Sequence, residues 1–586
     1  MQYHTLNIKL NIVFVGYYAY FCVILLVVYM AMSSKINYLN IMRSLLVVLI
    51  MCLSVDAWAI ESYISLDRKL SPEKLFNKGE YMAEEGRYTE ALEFYIEAAE
   101  EGHLGAQLQA AYLYAHGKGT KRNNVEAARL YEMAAKQGNS DAQYIIGGYY
   151  ERGVGVTQNY AKAVQWYRMA AEQGDYTAQC NLAICYAAGR GVEQDYAEAV
   201  KWFEKSAELG YAKAQYNLGV CYAMNRGIER DYAQAVKWYM LAANQGNSNA
   251  EYNLALCYAR GEGVEKSDVE AIKWYRKAAE HGNNYAECSL GNCYEYGNGV
   301  NQSYTEAVKW YRRAAKHGNK NAEYNLGHCY YLGYGVDKDY AEAARWFLLA
   351  AEHGQPEAQF NYGFCNEYGQ GVTQNYAEAV KWYTEAAKQG QRDAEYSLGH
   401  CYYLGHGVAI DYTEAVKWYR KAASRGHSGA ELGLGICYEN GEGVVQSYTQ
   451  ALDWYMKAAK HGEIDAEYSI GHLYHHGHGV VVDYGEAMKW YRKAASHGQA
   501  DAELSMGVCY ENGEGVEQNY GEAARWYRIA AEHGKVEAEY NLGRCYYLGH
   551  GVVQDVVEAE RWYMKAAKHG HKEAQEYFKD RYDFVE

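Results

Sequence analysis

Proline is almost missing from this 586-residue chain, which holds only Pro72 and Pro356 beside 58 glycines and 64 tyrosines. Glycine must therefore supply the breaks, and helices interrupted by glycine fit that usage. Basic charge is also scarce: 57 lysines and arginines face 73 aspartates and glutamates, a formal net charge of −16. No basic stretch with interleaved stacking residues relieves that balance, which argues against nucleic acid and anionic lipid surfaces as partners. The composition is too uniform for three or four unrelated domains, so repetition is the first thing to seek.

The amino-terminal segment is different in kind. Residues 10–34 carry no charge and are long enough to span a bilayer, for which about 20 apolar residues suffice. A more complete pattern overlaps them. From Met42, Arg43 supplies a positive start, Ser44 to Leu53 an apolar core, and Ala57-Trp58-Ala59 a small-residue cleavage site. On this reading residues 1–59 are a leader, with a signal peptide at 42–59 and upstream sequence from a mis-assigned start at 1–41; Met30 and Met32 are alternative starts. The mature protein then begins at Ile60 and is periplasmic or secreted. If Met1 is the true start, residues 10–34 instead anchor the chain in the inner membrane, the one membrane contact expected. A lipid-modified Cys52 would need a small residue where Met51 stands.

Beyond the leader, aromatic marks recur every 36 residues: Phe94-Tyr95, Tyr131, Trp166-Tyr167, Trp202-Phe203 and onward to Trp562-Tyr563, 14 marks with no insertion or deletion. A fixed period of this size denotes stacked supersecondary units, none of which buries its apolar face alone. In one unit, Ala199, Trp202, Phe203 and Ala207 follow the spacing of one helical face. Asp195 stands before them with Glu198 three residues on, as in a capping box. Asn159, Asp231, Ser267, Ser303, Asp339, Asn375, Asp411, Ser447, Asp483, Asn519 and Asp555 hold the same place. This second helix stops at Gly210, a column that is glycine in every unit from Gly102 to Gly570 and fits a left-handed residue after the helix end.

Ala214, Leu218, Cys221 and Tyr222 then define the first helix of the next unit. Gly219 lies inside it, although an interior glycine costs about 1 kcal/mol relative to alanine. Glycine or alanine fills that column repeatedly, including Ala183 and Ala255, so close helix approach is expected there. A Gly-x-Gly-Val loop follows, as at Gly189 to Val192, with Asn225 replacing the first glycine once.

These residues read A-x-x-x-L-G-x-x-Y-x-x-G-x-G-V followed by D-Y-x-x-A-x-x-W-Y-x-x-A-A-x-x-G. That pattern resembles the Sel-1-like repeat, a relative of the tetratricopeptide repeat, from about Ser71 to Gln575. The resemblance implies an all-α, right-handed superhelical solenoid of about 14 helix-turn-helix units. Residues 60–102 read as an amino-terminal capping unit closer to a plain tetratricopeptide repeat, 103–572 as the array, and 573–586 as a closing helix. The resemblance further implies a non-catalytic scaffold of the bacterial envelope that binds protein or peptide partners on its concave face, without a cofactor. The alternatives are a binder of cell-wall glycan and an envelope hydrolase of the kind that cysteine-rich relatives suggest for β-lactams. Oligomeric state is open.

Chemistry-bearing motifs are sparse. Ten of the 14 cysteines share one column, from Cys185 to Cys545, and successive members are a whole repeat apart. Packed helices lie about 8–10 Å apart, farther than a disulfide reaches. Leu473 and Tyr149 occupy the same column, so core packing is the reading taken. Ser71-Pro72-Glu73-Lys74 matches the short S-x-x-K pattern, but no S-D-N or K-T-G accompanies it, and a serine before proline also suits a helix start. His472, His475, His476 and His478 form the densest imidazole cluster. His472 and His476 share a helical face as metal ligands do, yet surface or inter-repeat packing is the assignment taken.

The remaining face of the first helices alternates with a 72-residue rhythm. One set of units presents Tyr324, His328 and Tyr331; Tyr396, His400 and Tyr403; Tyr468, His472 and His475; Tyr540, Arg544 and Tyr547. The other presents Cys288, Asn292 and Glu295; Phe360, Phe364 and Glu367; Leu432, Ile436 and Glu439; Leu504, Val508 and Glu511. Duplication of paired units explains the alternation without a ligand. The functional reading is a tyrosine and histidine ridge suited to extended peptides or glycan strands, with binding that responds to pH near 6 to 7.

Overall fold

A computed structural model describes residues 70–579 and a few isolated positions between 21 and 50. The proposed cleavage site at 57–59 and the end of the closing segment, 580–586, lie outside the described residues, as does most of the leader. Among the described residues the chain forms 29 α-helices and no strand, and no helix is long and apolar enough to cross a membrane. Contacts divide the chain into two compact bodies, one ending at Ala242 and one beginning at Ala243. In each body, every helix packs chiefly on the helices just before and after it.

The repeating unit is a hairpin of two 13-residue helices, such as Ser428–Asn440 and Tyr448–Lys460. Its core is built mostly from small residues: Ala430, Leu434, Cys437, Ala451, Ala458 and Ala459 are buried around a single large ring, Tyr455. Small side chains allow the close approach that the interior glycine implied. A Cβ on Gly435 would lie 2.3 Å from Tyr455 Cε1, so the ring lies flat on bare backbone. The same holds for Gly291 under Tyr311 and Gly507 under Tyr527.

The expected start and stop devices are present, with one correction. Asp195 Oδ1 accepts the Glu198 backbone N–H at 3.0 Å, closing one orphan amide. The reciprocal half of the capping box is not made. The Asp195 N–H donates to the Tyr186 carbonyl of the preceding helix, and the Glu198 carboxylate is taken by Lys201 and the Trp202 indole. At the other end Gly210, at φ +88°, donates to the Ala207 carbonyl while Tyr211 donates to Ser206, the paired bonds of a Schellman motif.

The second glycine of the loop has a different task. A Cβ on Gly191 would lie 2.3 Å from the Tyr160 carbonyl carbon, at the start of the preceding hairpin's second helix. The loop therefore seats one hairpin on the one before it. Asn225, the one non-glycine residue with positive φ among the described residues, stands where the sequence substitutes the first loop glycine.

The cysteines of the array are free thiols, buried or half-buried. Burial pushes the Cys257 thiol up to about 11 and, with Glu442 nearby, the Cys437 thiol up to about 12, so neither is an activated nucleophile. Leu473 is fully buried in the same column, as core packing requires.

Candidate partner-binding face

All twelve ridge residues lie on first helices and are half-buried. Each tyrosine at the start of a triplet leans on the buried ring of its own hairpin: Tyr324 on Phe347, Tyr396 on Tyr419, Tyr468 on Tyr491 and Tyr540 on Tyr563, with centroids 5.3–6.0 Å apart. Within the triplets, Tyr324, Tyr396 and Tyr468 also contact His328, His400 and His472. The outer members are engaged in different ways. Tyr331 meets Tyr340, Tyr403 donates to Glu442 at 2.8 Å, His475 approaches Glu514, and Tyr547 meets Tyr577 edge-on.

The intervening triplets are not simply acidic surface. Tyr311, Tyr383, Tyr455 and Tyr527 each donate a phenol O–H to Glu295, Glu367, Glu439 and Glu511, at 2.5–2.6 Å. The alternation therefore has an internal consequence: every second buried ring is held at its hydroxyl by a carboxylate. Arg544 pairs with one of these, Glu511. His400 and His472 lie near Glu367 and Glu439, but burial outweighs those charges and holds both imidazoles below the usual histidine value. A pH response carried by these two rings therefore falls below the usual histidine range.

Between neighbouring first helices the face opens into a cleft of about 300 Å³ lined by Tyr324, His328, Tyr331, Phe347, Phe360 and Phe364. It joins the two kinds of triplet: histidine and tyrosine on one wall, phenylalanine on the other. Asn361 lines it beside Tyr324.

The Sel1 repeat family model matches fourteen consecutive segments, beginning with residues 76–103 and 105–139 and ending with 500–535 and 536–571. The chain belongs to the Sel1 repeat family. Its first unit falls within the matched array. A crystal structure of a protective antigen present in uropathogenic Escherichia coli strains, displaying an SLR fold, is 34% identical with a TM-score of 0.61, covering 78% of this chain and 97% of that one. A Sel1 repeat protein from Oxalobacter formigenes is 30% identical with a TM-score of 0.46, covering 57% and 94%. No curated protein matches the chain.

The Sel1 units contain a second polar column that the sequence reading passed over. From the second unit onward, a glutamate or glutamine is buried near the start of each first helix, including Glu251, Glu287, Glu323, Glu431, Glu467, Glu503 and Glu539. Each of these glutamates meets a histidine thirty residues on, at the end of its own hairpin, as in Glu251–His281, Glu431–His461 and Glu503–His533, at 2.7–2.8 Å. Glu395 meets Arg425 instead. Three of the buried glutamines are paired with glutamine instead: Gln137 donates to Gln107, Gln173 to Gln143 and Gln389 to Gln359, whereas Gln179 stands opposite Leu209. A glutamate this close to a helix start reads as an exposed capping residue. Its correlated exchange with the residue thirty positions away was the pattern that would have revealed it.

Ser71 caps the first helix, accepting the Lys74 backbone N–H at 3.4 Å, with Pro72 in the first turn. The serine is thus used as the helix-start reading expects. In the histidine cluster, His476 Nδ1 is taken by the His472 carbonyl and the two rings lie 4.2 Å apart.

Proposed function

We propose that this Sel1 protein is an exported scaffold that holds an extended segment of a protein partner along its tyrosine and histidine ridge. The observation that carries this is the cleft between neighbouring first helices, where Tyr324, His328 and Tyr331 line one wall and Phe360 and Phe364 the other. The tyrosine and histidine wall recurs at Tyr396, His400 and Tyr403 and at Tyr468, His472 and His475, with Leu432 and Ile436 and then Leu504 and Val508 at the phenylalanine positions, so a bound strand would meet a similar pairing of polar-aromatic and apolar side chains repeatedly. Aromatic rings already packed on the core lose little freedom on binding, and neutral histidines offer both a donor and an acceptor to a peptide backbone. Sel1 repeat proteins are in general non-catalytic protein-binding scaffolds. The leader pattern ending at Ala59 supports the exported placement, as does a relative that is a protective antigen.

Cross-linking in situ identifies the partner, and titration of the purified pair then tests the face. Replacing His328, His400 and His472 together by glutamine is expected to weaken binding about ten-fold, the effect of losing about 1.4 kcal/mol. Binding that is unchanged in this variant dismisses the ridge. Retention on isolated sacculi without any protein partner would favour a glycan ligand instead.

A further inference from the structure

One unit departs from its siblings at the outer ridge position. Where Tyr403 donates its hydroxyl to Glu442 beside Cys437, the unit 72 residues on has His475 facing Glu514 beside Cys509. The imidazole lies between them: Nδ1 is 3.8 Å from Cys509 Sγ and Nε2 is 3.4 Å from Glu514 Oε2. That carboxylate oxygen is buried and receives no hydrogen bond, so exchanging tyrosine for histidine leaves an acceptor unfilled. Taking one ligand atom from each residue, the three lie within 4.8 Å of one another.

We propose that His475, Cys509 and Glu514 form a binding site for a divalent transition metal, best suited to zinc. A thiolate, an imidazole and a carboxylate are the donor types zinc selects, at about 2.0–2.3 Å each. Those bond lengths put neighbouring ligand atoms about 3.3–3.8 Å apart in a tetrahedron. Binding would need the present spread to close by about 1 Å, with a single imidazole nitrogen turned to the ion. Solvent completes the fourth position. Binding breaks the Cys509 S–H bond, forms a sulfur–metal bond and releases the proton to buffer. Burial and Glu514 push that thiol up to about 12 in the metal-free chain, so the metal must drive the ionisation and affinity rises with pH. His475 comes from the first helix of one hairpin, and Cys509 and Glu514 from the first helix and inner loop of the next, so an ion would pin neighbouring repeats together.

The test uses the untagged full-length chain, stripped with a chelator and titrated with Co(II). One equivalent should bind with a sulfur-to-cobalt charge-transfer band in the near ultraviolet, and zinc should displace it. Cys509→Ser should abolish that band. His475→Tyr, which restores the sibling residue and its hydrogen bond to the loop glutamate, should weaken binding more than about ten-fold while leaving the helical circular dichroism unchanged. His476→Gln should change neither. Cobalt bound without the thiolate band, or undiminished in Cys509→Ser and His475→Tyr but lost in His476→Gln, would overturn the proposal in favour of the exposed imidazoles alone.

Discussion

Gly435→Val should open its hairpin locally, lowering the protection of helices 428–440 and 448–460 by about 3 kcal/mol. The reason is geometric. The new Cβ would sit 2.3 Å from a ring carbon of Tyr455, and that ring is buried and held at its hydroxyl by Glu439. It has nowhere to go without breaking the hydrogen bond or parting the helices. The smaller change Gly435→Ala pits a gain of about 1 kcal/mol in helix propensity against overpacking of about 1–3 kcal/mol, and a net loss is expected. The protein contains its own control. Alanine stands in this column at Ala111, Ala183 and Ala255, and in those units the carboxylate position is also alanine: Ala115, Ala187 and Ala259. Alanine is thus found where the facing ring is free of a glutamate tether. Gly399→Ala, opposite Tyr419, whose hydroxyl has only a 3.4 Å contact with His400, should accordingly cost less than Gly435→Ala. Hydrogen exchange read by mass spectrometry resolves the two hairpins. Equal losses at both sites would refute the tether.

The buried glutamate column sets the second large effect. Glu503 is 2% exposed at its side chain and His533, half exposed, donates to it at 2.7 Å. Removing the ring with His533→Leu leaves a carboxylate in the core without that donor, at an expected cost of about 2 kcal/mol, reduced from the fully buried case because water reaches the vacated edge. Adding Glu503→Gln should restore most of the loss. The model for this rescue is Gln179, which stands opposite Leu209 and donates its amide to the Ala171 carbonyl at 3.1 Å. Glutamine brings the donor that carbonyl needs, whereas a glutamate must borrow one: Arg313 bridges Glu287 and the Ala279 carbonyl in just that way. If the double variant is no more stable than His533→Leu alone, the pairing contributes nothing specific.

Periodicity made most of the fold legible before any coordinates. The 36-residue interval, the N-cap column and the terminal glycines each depend on backbone geometry, which is local and leaves a residue-type signature. Gly219 and its equivalents were readable as close approach for the same reason. The reciprocal capping bond failed because the amide it needed was claimed by Tyr186 in the preceding helix, a contact between elements that spacing cannot show. The Tyr–Glu bonds and the Glu–His column were missed on the same ground: Glu295 and Glu503 sit at helix positions that look solvent-facing until the neighbouring helix is placed. The ridge was visible as an alternation, yet its side chains proved to be packed on the core as well as presented outward. Tyr396 lies against both Tyr419 and His427.

All of this rests on hairpins that are stabilised by the hairpins beside them. The most direct test removes units two at a time from the carboxyl-terminal end, re-attaching the closing helix, and follows urea unfolding by circular dichroism. The midpoint and the steepness of the transition should both rise with the number of units retained, approaching a plateau, as nearest-neighbour coupling requires. A midpoint that is the same for the shortest and longest arrays would mean that each hairpin stands alone, and would contradict the account.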